Sequence, residues 1–320
     1  MTRRIVKTAK AFAPAAISSF FEIHDVEGKK PIADLEKMGA RGGGFGLQKG
    51  VLTQIIVEEA NCSSLTVNIN GKNAPEAKTT KLMIEKLLRN QQKSFVVIVN
   101  HKIEVPIGTG FGTSAGGALT AGLALKEALN LPLTYNQIGK VAHTSEIECQ
   151  TGLGTVSSLT SNGGCVLVVE PGAPGLCQID RIPITQDFVV VAGFTQSNIP
   201  NKTVLTDPEK KRLINSYGKK TLEKILFRPS IENFLEQCNE FSEKTGFATE
   251  KTRQLVKLAK KAGAVGAAQN MIGEAVHAVV LKENASQVTE AFKQVLPSGK
   301  VFESKIDFQG ARLVGNEKIQ

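Results

Sequence analysis

The stretch Pro106-Ile107-Gly108-Thr109-Gly110-Phe111-Gly112-Thr113-Ser114-Ala115 sets three glycines at alternate positions and two hydroxyls directly after the last of them. Without a Cβ, glycine takes up backbone conformations closed to other residues, and successive N–H groups can then converge on an anion. A pattern of small residues predicts a helix from Thr113 to Leu129. A helix start adds unsatisfied N–H groups and the positive end of its dipole. The segment reads as a phosphate cradle, with one of Thr113 and Ser114 capping the helix and the other meeting Mg²⁺ or a phosphate oxygen. It is not a Walker loop, because no lysine follows the last glycine. Nor is it the dinucleotide fingerprint, since Thr113 stands where Gly or Ala is needed.

A rival pattern lies on the same residues. Gly112-Thr113-Ser114-Ala115-Gly116 satisfies G-x-S-x-G, the nucleophile elbow of serine hydrolases. Asp180, Asp187 and Asp207, and then His277, follow in the required order. An elbow needs a strand running straight into its serine, whereas a proline and three glycines come first here.

Outward from the loop, Phe95 to Val105 predicts the strand that feeds it, and Pro75 to Leu88 an amphipathic helix before that strand. Val51 to Val57 and Leu65 to Ile69 are β-branched runs, with Asn70-Gly71 as a turn signal. Ser19 to Ile23 predicts a short strand, and the glycine-rich stretch Gly39 to Gly50 a tight turn. On the other side, Thr134 with Gln137 predicts a capping box. The helix it opens carries Glu146 and Glu148 near its end. Gly163 to Val169 and Phe188 to Val191 predict buried strands. Beyond residue 196 the texture becomes helical (Pro208 to Phe227, Ile231 to Lys244, Thr249 to Lys261), which predicts a boundary near 195–205. Gly263 to Ala268 is a second small-residue stretch, and an apolar run, a helix and a strand close the chain.

The bulk numbers narrow the partners. The 320 residues carry a net charge of +9, of which residues 201–261 hold +6, from 14 Lys/Arg against 8 Asp/Glu. Mixed signs at helical spacing predict solvated helix faces, and no aromatic interleaving accompanies them, so nucleic acid is not expected. The five cysteines form no C-x-x-C pair and the four histidines show no metal-ligand spacing. Reduced thiols, no apolar run near 18 residues and no signal-like leader predict a cytoplasmic protein with no membrane partner.

The glycine loop resembles the phosphate-binding signature of the GHMP kinase superfamily, P-x-G-x-G-L-G-S-S-A, with Phe111 for Leu and Thr113 for the first Ser. Five further segments resemble the archaeal pantoate kinase family. They are Ala13 to Glu22, Gly39 to Gly44, Thr151-Gly152-Leu153-Gly154, Asn215-Ser216-Tyr217-Gly218 and Arg228-Pro229-Ser230. The resemblance implies an α+β, two-domain GHMP-kinase-like fold with a left-handed βαβ unit in the N-terminal domain. Residues 1–198 would form the ATP-binding domain and 199–320 the C-terminal one.

The implied activity is transfer of phosphate from ATP to the 4-hydroxyl of pantoate, in the archaeal route to coenzyme A, with Mg²⁺. Homoserine and mevalonate-pathway acceptors are the alternatives within the superfamily. Pro106, Gly108, Thr109, Gly110, Phe111, Gly112, Thr113 and Ser114 would bind the nucleotide. Ser114 and Glu146 would be catalytic and hold Mg²⁺, with Glu148 as the fallback. A substrate carboxylate needs a cation, for which Arg41 is the first candidate and Lys202 the second. Two positions depart from the family. Ala15-Ala16 replaces Gly-His, and Thr155 stands near the Asp that many relatives carry as a candidate base. Small molecules are the expected partners, and a homodimer is among the expectations.

Overall fold

A computed structural model describes residues 6–28, 30–161, 163–195 and 207–315. The strands are β1 Val6–His24, β2 Val26–Glu27, β3 Lys30–Pro31, β4 Gly39–Ala60, β5 Ser64–Ile69, β6 Lys72–Asn73, β7 Ser94–Ile103, β8 Cys165–Glu170, β9 Gln178–Ile182, β10 Phe188–Phe194, β11 Gly266–Gln269, β12 Ala275–Leu281, β13 Val301–Lys305 and β14 Arg312–Val314. The helices are α1 Lys78–Leu88, α2 Thr113–Leu129, α3 Tyr135–Cys149, α4 Thr155–Leu159, α5 Pro208–Phe227, α6 Ile231–Lys244, α7 Glu250–Lys261 and α8 Ala285–Lys293.

Two main sheets result. The first runs β14-β1-β4-β7-β5-β6, with β8 and β9 joined to the far end of β4; the second runs β11-β12-β10-β13. Strands from both sides of residue 198 enter both sheets, since β10 lies in the second and β14 in the first. Within the first sheet β5 and β7 are parallel neighbours, and α1 makes the crossover between them.

The predicted tight turn at Gly39 to Gly50 is not there. These residues are the first half of the 22-residue strand β4, paired with an equally continuous β1. The predicted short strand at Ser19 to Ile23 is the end of that 19-residue β1. The glycines serve close approach, not reversal. A Cβ on Gly44 would fall 1.6 Å from the Ile17 carbonyl oxygen, and the register slips beside it, between Ser18 and Phe20. A bulge brings the two backbones closer than a side chain permits.

Helices α1, α2 and α3 cover one face of the first sheet. Ala11, Ala13, Ile55, Val57, Val97 and Val99 point there and bury against Met83, Leu119, Leu125 and Ile138. The small side chains of β1 leave room for α2 to lie directly on the strands. The opposite face continues into a second core around Phe20, Phe45, Phe234 and Phe241. Edge-on ring contacts of 5.4 Å (Phe45–Phe234) and 6.3 Å (Phe20–Phe241) fasten α6 to the glycine-rich half of β4 and to β1. Such pairs add about 1 kcal/mol each beyond their buried area.

The predicted capping box folds as read, and three further helix starts are capped. Thr134 and Gln137 exchange both capping-box hydrogen bonds at the start of α3. Asp207 accepts from the Glu209 and Lys210 N–H groups to start α5. Ser230 and Thr249 cap α6 and α7.

Candidate active site

The glycine loop closes one side of a cleft of about 600 Å³, which also takes in β1, the glycine half of β4, the end of α3 and Met271-Ile272. Gly108, Gly110 and Gly112 all adopt left-handed backbone, with φ of 80°, 83° and 63°. Gly112 is the N-cap of α2 and no side chain bonds the free N–H groups of its first turn. The prediction that Thr113 or Ser114 caps the helix is therefore corrected, and the first-turn donors stay available to an anion.

Not every residue of the loop faces the cleft. Phe111 is 1% exposed, packed on Phe302, and its carbonyl accepts from the Ala16 N–H at 3.0 Å. Buried Thr109 donates its hydroxyl to the Pro106 carbonyl. Pro106 and Thr109 thus shape the loop, while Gly108, Gly110, Phe111, Gly112, Thr113 and Ser114 border the cleft.

Glu146 stands across from Ser114, 2% exposed, in the last turn of α3. Gln150 in left-handed conformation ends that helix and turns the chain back, so that Thr151 donates to Glu146 Oε1 at 3.2 Å. Gly152 follows, where a Cβ would lie 2.7 Å from Glu146 Oε2. The Ser114 hydroxyl donates to Thr79 Oγ1 at 3.1 Å, and Thr79 Oγ1 lies 3.1 Å from Thr151 Oγ1. Burial pushes the Glu146 carboxyl up to about 7, opposed by hydrogen bonds from Ser114 and Thr151.

The donor set fits Mg²⁺. A buried carboxylate whose described partners are hydroxyls, facing a serine oxygen, presents hard oxygen ligands and an anionic charge. Among the described residues no group of three or more His, Cys, Asp or Glu forms a metal cage.

Residues 78–160 match the family model described as GHMP kinases N terminal domain. The chain is 30% identical over 287 residues to the pantoate kinase of Methanocaldococcus jannaschii, covering 88% of this chain and 96% of that one. It is 31% identical over 290 residues to the pantoate kinase of Thermococcus kodakarensis, covering 88% and 90%. A solved structure described as a phosphotransferase related to the CoA biosynthesis pathway superposes with a TM-score of 0.83, at 26% identity, over 97% of this chain and 100% of that one.

The chain belongs to the GHMP kinase family.

In this GHMP kinase the remaining predicted residues fall as follows. Glu148, the fallback ligand, is turned away from Ser114 and ion-paired to Lys86 at 2.6 Å. Arg41 does reach the cleft, and Nη2 donates to Glu22 Oε1 at 2.7 Å, so one of its five donors is taken. Among the described residues lining the cleft Arg41 is the single cation and Glu146 the single carboxylate. Lys202 lies outside the described residues. Thr155 opens α4 at the cleft wall, against Gly112.

The hydrolase reading is corrected. His277 is fully buried on β12 and bonds Ser19 at 3.0 Å and Asn270 at 2.8 Å, while burial pulls its pKa down to about 3. Ser114 is bonded to a threonine instead, so the described structure offers His277 no part in activating it.

Sequence reasoning missed Thr79 and the cleft position of Met271-Ile272. Thr79 carried no signal beyond its place in a helix. The stretch Gly263 to Ala268 did point near Met271. Thr151 and Gly152 were marked by the family resemblance but given no role.

Proposed function

We propose that this GHMP kinase transfers the γ-phosphoryl group of ATP to the 4-hydroxyl of pantoate. The observation that carries the kinase chemistry is the convergence of the left-handed glycines, the uncapped start of α2, Ser114 and Glu146 on one cleft. Pantoate as acceptor is supported by the relatives that bear that name and by the Arg41 guanidinium, the one cation among the described residues lining the cleft, suited to a carboxylate.

Phosphoryl transfer asks the protein mainly for position and charge. The loop N–H groups hold the nucleotide's phosphates at the start of α2. Ser114 and Glu146 would hold Mg²⁺, which when bound neutralises phosphate charge. Arg41, steadied by Glu22, orients the acid so that its hydroxyl faces the γ-phosphorus. The O–P bond forms as the bond to the β–γ bridging oxygen breaks, ADP leaves, and the hydroxyl proton passes late to water. Thr155 takes no proton at neutral pH, so no dedicated base is assigned there.

Steady-state kinetics of two variants test the assignment. Ser114→Ala should lower kcat by about a hundredfold or more. Arg41→Ala should raise KM for the acid at least about tenfold with KM for ATP nearly unchanged. Near-normal turnover of the first, or an equal effect of the second on both substrates, removes that residue from its role.

A further inference from the structure

We propose that Thr79 is a positioning residue for the phosphoryl-transfer site, holding Ser114 and Glu146 in register across the cleft. The inference rests on the reading of those two residues as the metal-binding pair. Thr79 lies in the first turn of α1, is 5% exposed, and comes from an element otherwise devoted to packing on α2 and α3.

Thr79 Oγ1 lies 3.1 Å from both Ser114 Oγ and Thr151 Oγ1. The Thr151 hydroxyl donates to Glu146, so Thr151 accepts in its bond with Thr79 and Thr79 is the donor there. The one hydrogen of the Ser114 hydroxyl serves Thr79 or the Glu146 carboxylate. Thr79 therefore touches both hydroxyls that bond the carboxylate, and this one buried threonine sets the spacing of Ser114 from Glu146.

The next residue fixes Thr79 itself. Thr80 Oγ1 lies 3.1 Å from His101 Nε2, and His101 Nδ1 lies 2.7 Å from Thr53 Oγ1. Thr53 bonds Thr120 on α2, whose hydroxyl returns to the Gly116 carbonyl. Burial pulls the His101 pKa down to about 4, so the ring is a neutral bridge. The N-cap of α1, Ala77, has no side-chain bond, and adjacent threonines anchor this turn: Thr80 to the sheet and α2, Thr79 to the site.

Calorimetric titration with ADP, with and without Mg²⁺, on the full chain tests the proposal. Four variants are compared: Thr79→Val, Thr79→Ser, Ser114→Ala and Glu146→Gln. The quantity read is the factor by which Mg²⁺ tightens ADP binding, alongside kcat and KM for ATP. Thr79→Val keeps the shape and loses the hydroxyl; it should cut that factor about tenfold and lower kcat, leaving metal-free ADP binding unchanged. Thr79→Ser should restore both. Retention of the factor in Thr79→Val, with Ser114→Ala and Glu146→Gln abolishing it, overturns the role of Thr79 and leaves the metal-pair reading standing. Retention in all three variants overturns the reading and the proposal together. Equal weakening of metal-free and metal-bound ADP in both Thr79 variants, with a lowered Tm, overturns positioning in favour of a general packing role.

Discussion

Glu146 carries its charge at a cost to the fold. Its carboxyl titrates near 7 inside the cleft, against 4.5 ordinarily, because burial disfavours the anion more than the hydroxyls of Ser114 and Thr151 favour it. A folded-state pKa above the unfolded one contributes stability that is present at low pH and lost as pH rises through about 7. The difference corresponds to about 3 kcal/mol at alkaline pH without metal. Glu146→Gln should therefore raise the Tm of metal-free protein at pH 8, match the parent near pH 4, and abolish turnover. Thermal melts at the two pH values check this, and an unchanged Tm at pH 8 would mean that the carboxyl is not strained by burial. This loss of stability in exchange for a metal-ready anion is the kind expected of a functional group.

Elements show which parts of this protein were legible in its sequence. The helices were, because their spacing and start signals are local: Thr134 with Gln137, read as a capping box, bonds within the first turn of α3, whereas the Ser230 and Thr249 caps were not singled out. The left-handed course of the glycine loop into α2 was legible because alternate glycines before a helix have few other uses. Strand β4 was not, since glycines that admit a close neighbour look the same in sequence as glycines that turn. The Thr79 link was not either, as it joins the first turn of α1 to the end of α3, and such tertiary pairs leave no local pattern. The strand account makes its own prediction. Gly44→Ala should destabilise by about 3 kcal/mol, because the new methyl meets the Ile17 backbone and not a movable side chain. Denaturant unfolding measures it, and a loss below about 0.5 kcal/mol would contradict the close approach.

At the scale of the whole molecule the cleft draws on distant parts of the chain. Its walls come from β1, β4, the loop before α2, the α3–α4 turn and the segment leading into β12. The aromatic core around Phe45 and Phe234 ties those parts together. The excess of positive charge over residues 201–261 lies on α5 and α7, while α6 is net negative, and all three helices expose charged faces, as read. Among the described residues no helix is long and apolar enough to cross a membrane. Among the described residues lining the cleft stand one guanidinium, Arg41, and one carboxylate, Glu146, beside the left-handed glycines of the loop. The most direct test is ADP release from Mg-ATP with pantoate, homoserine, mevalonate, phosphomevalonate and galactose as acceptors. The account predicts a kcat/KM for pantoate about a hundredfold or more above every other acceptor. Equal or faster turnover of another acceptor, or none with pantoate while Mg-ATP binds, would contradict it.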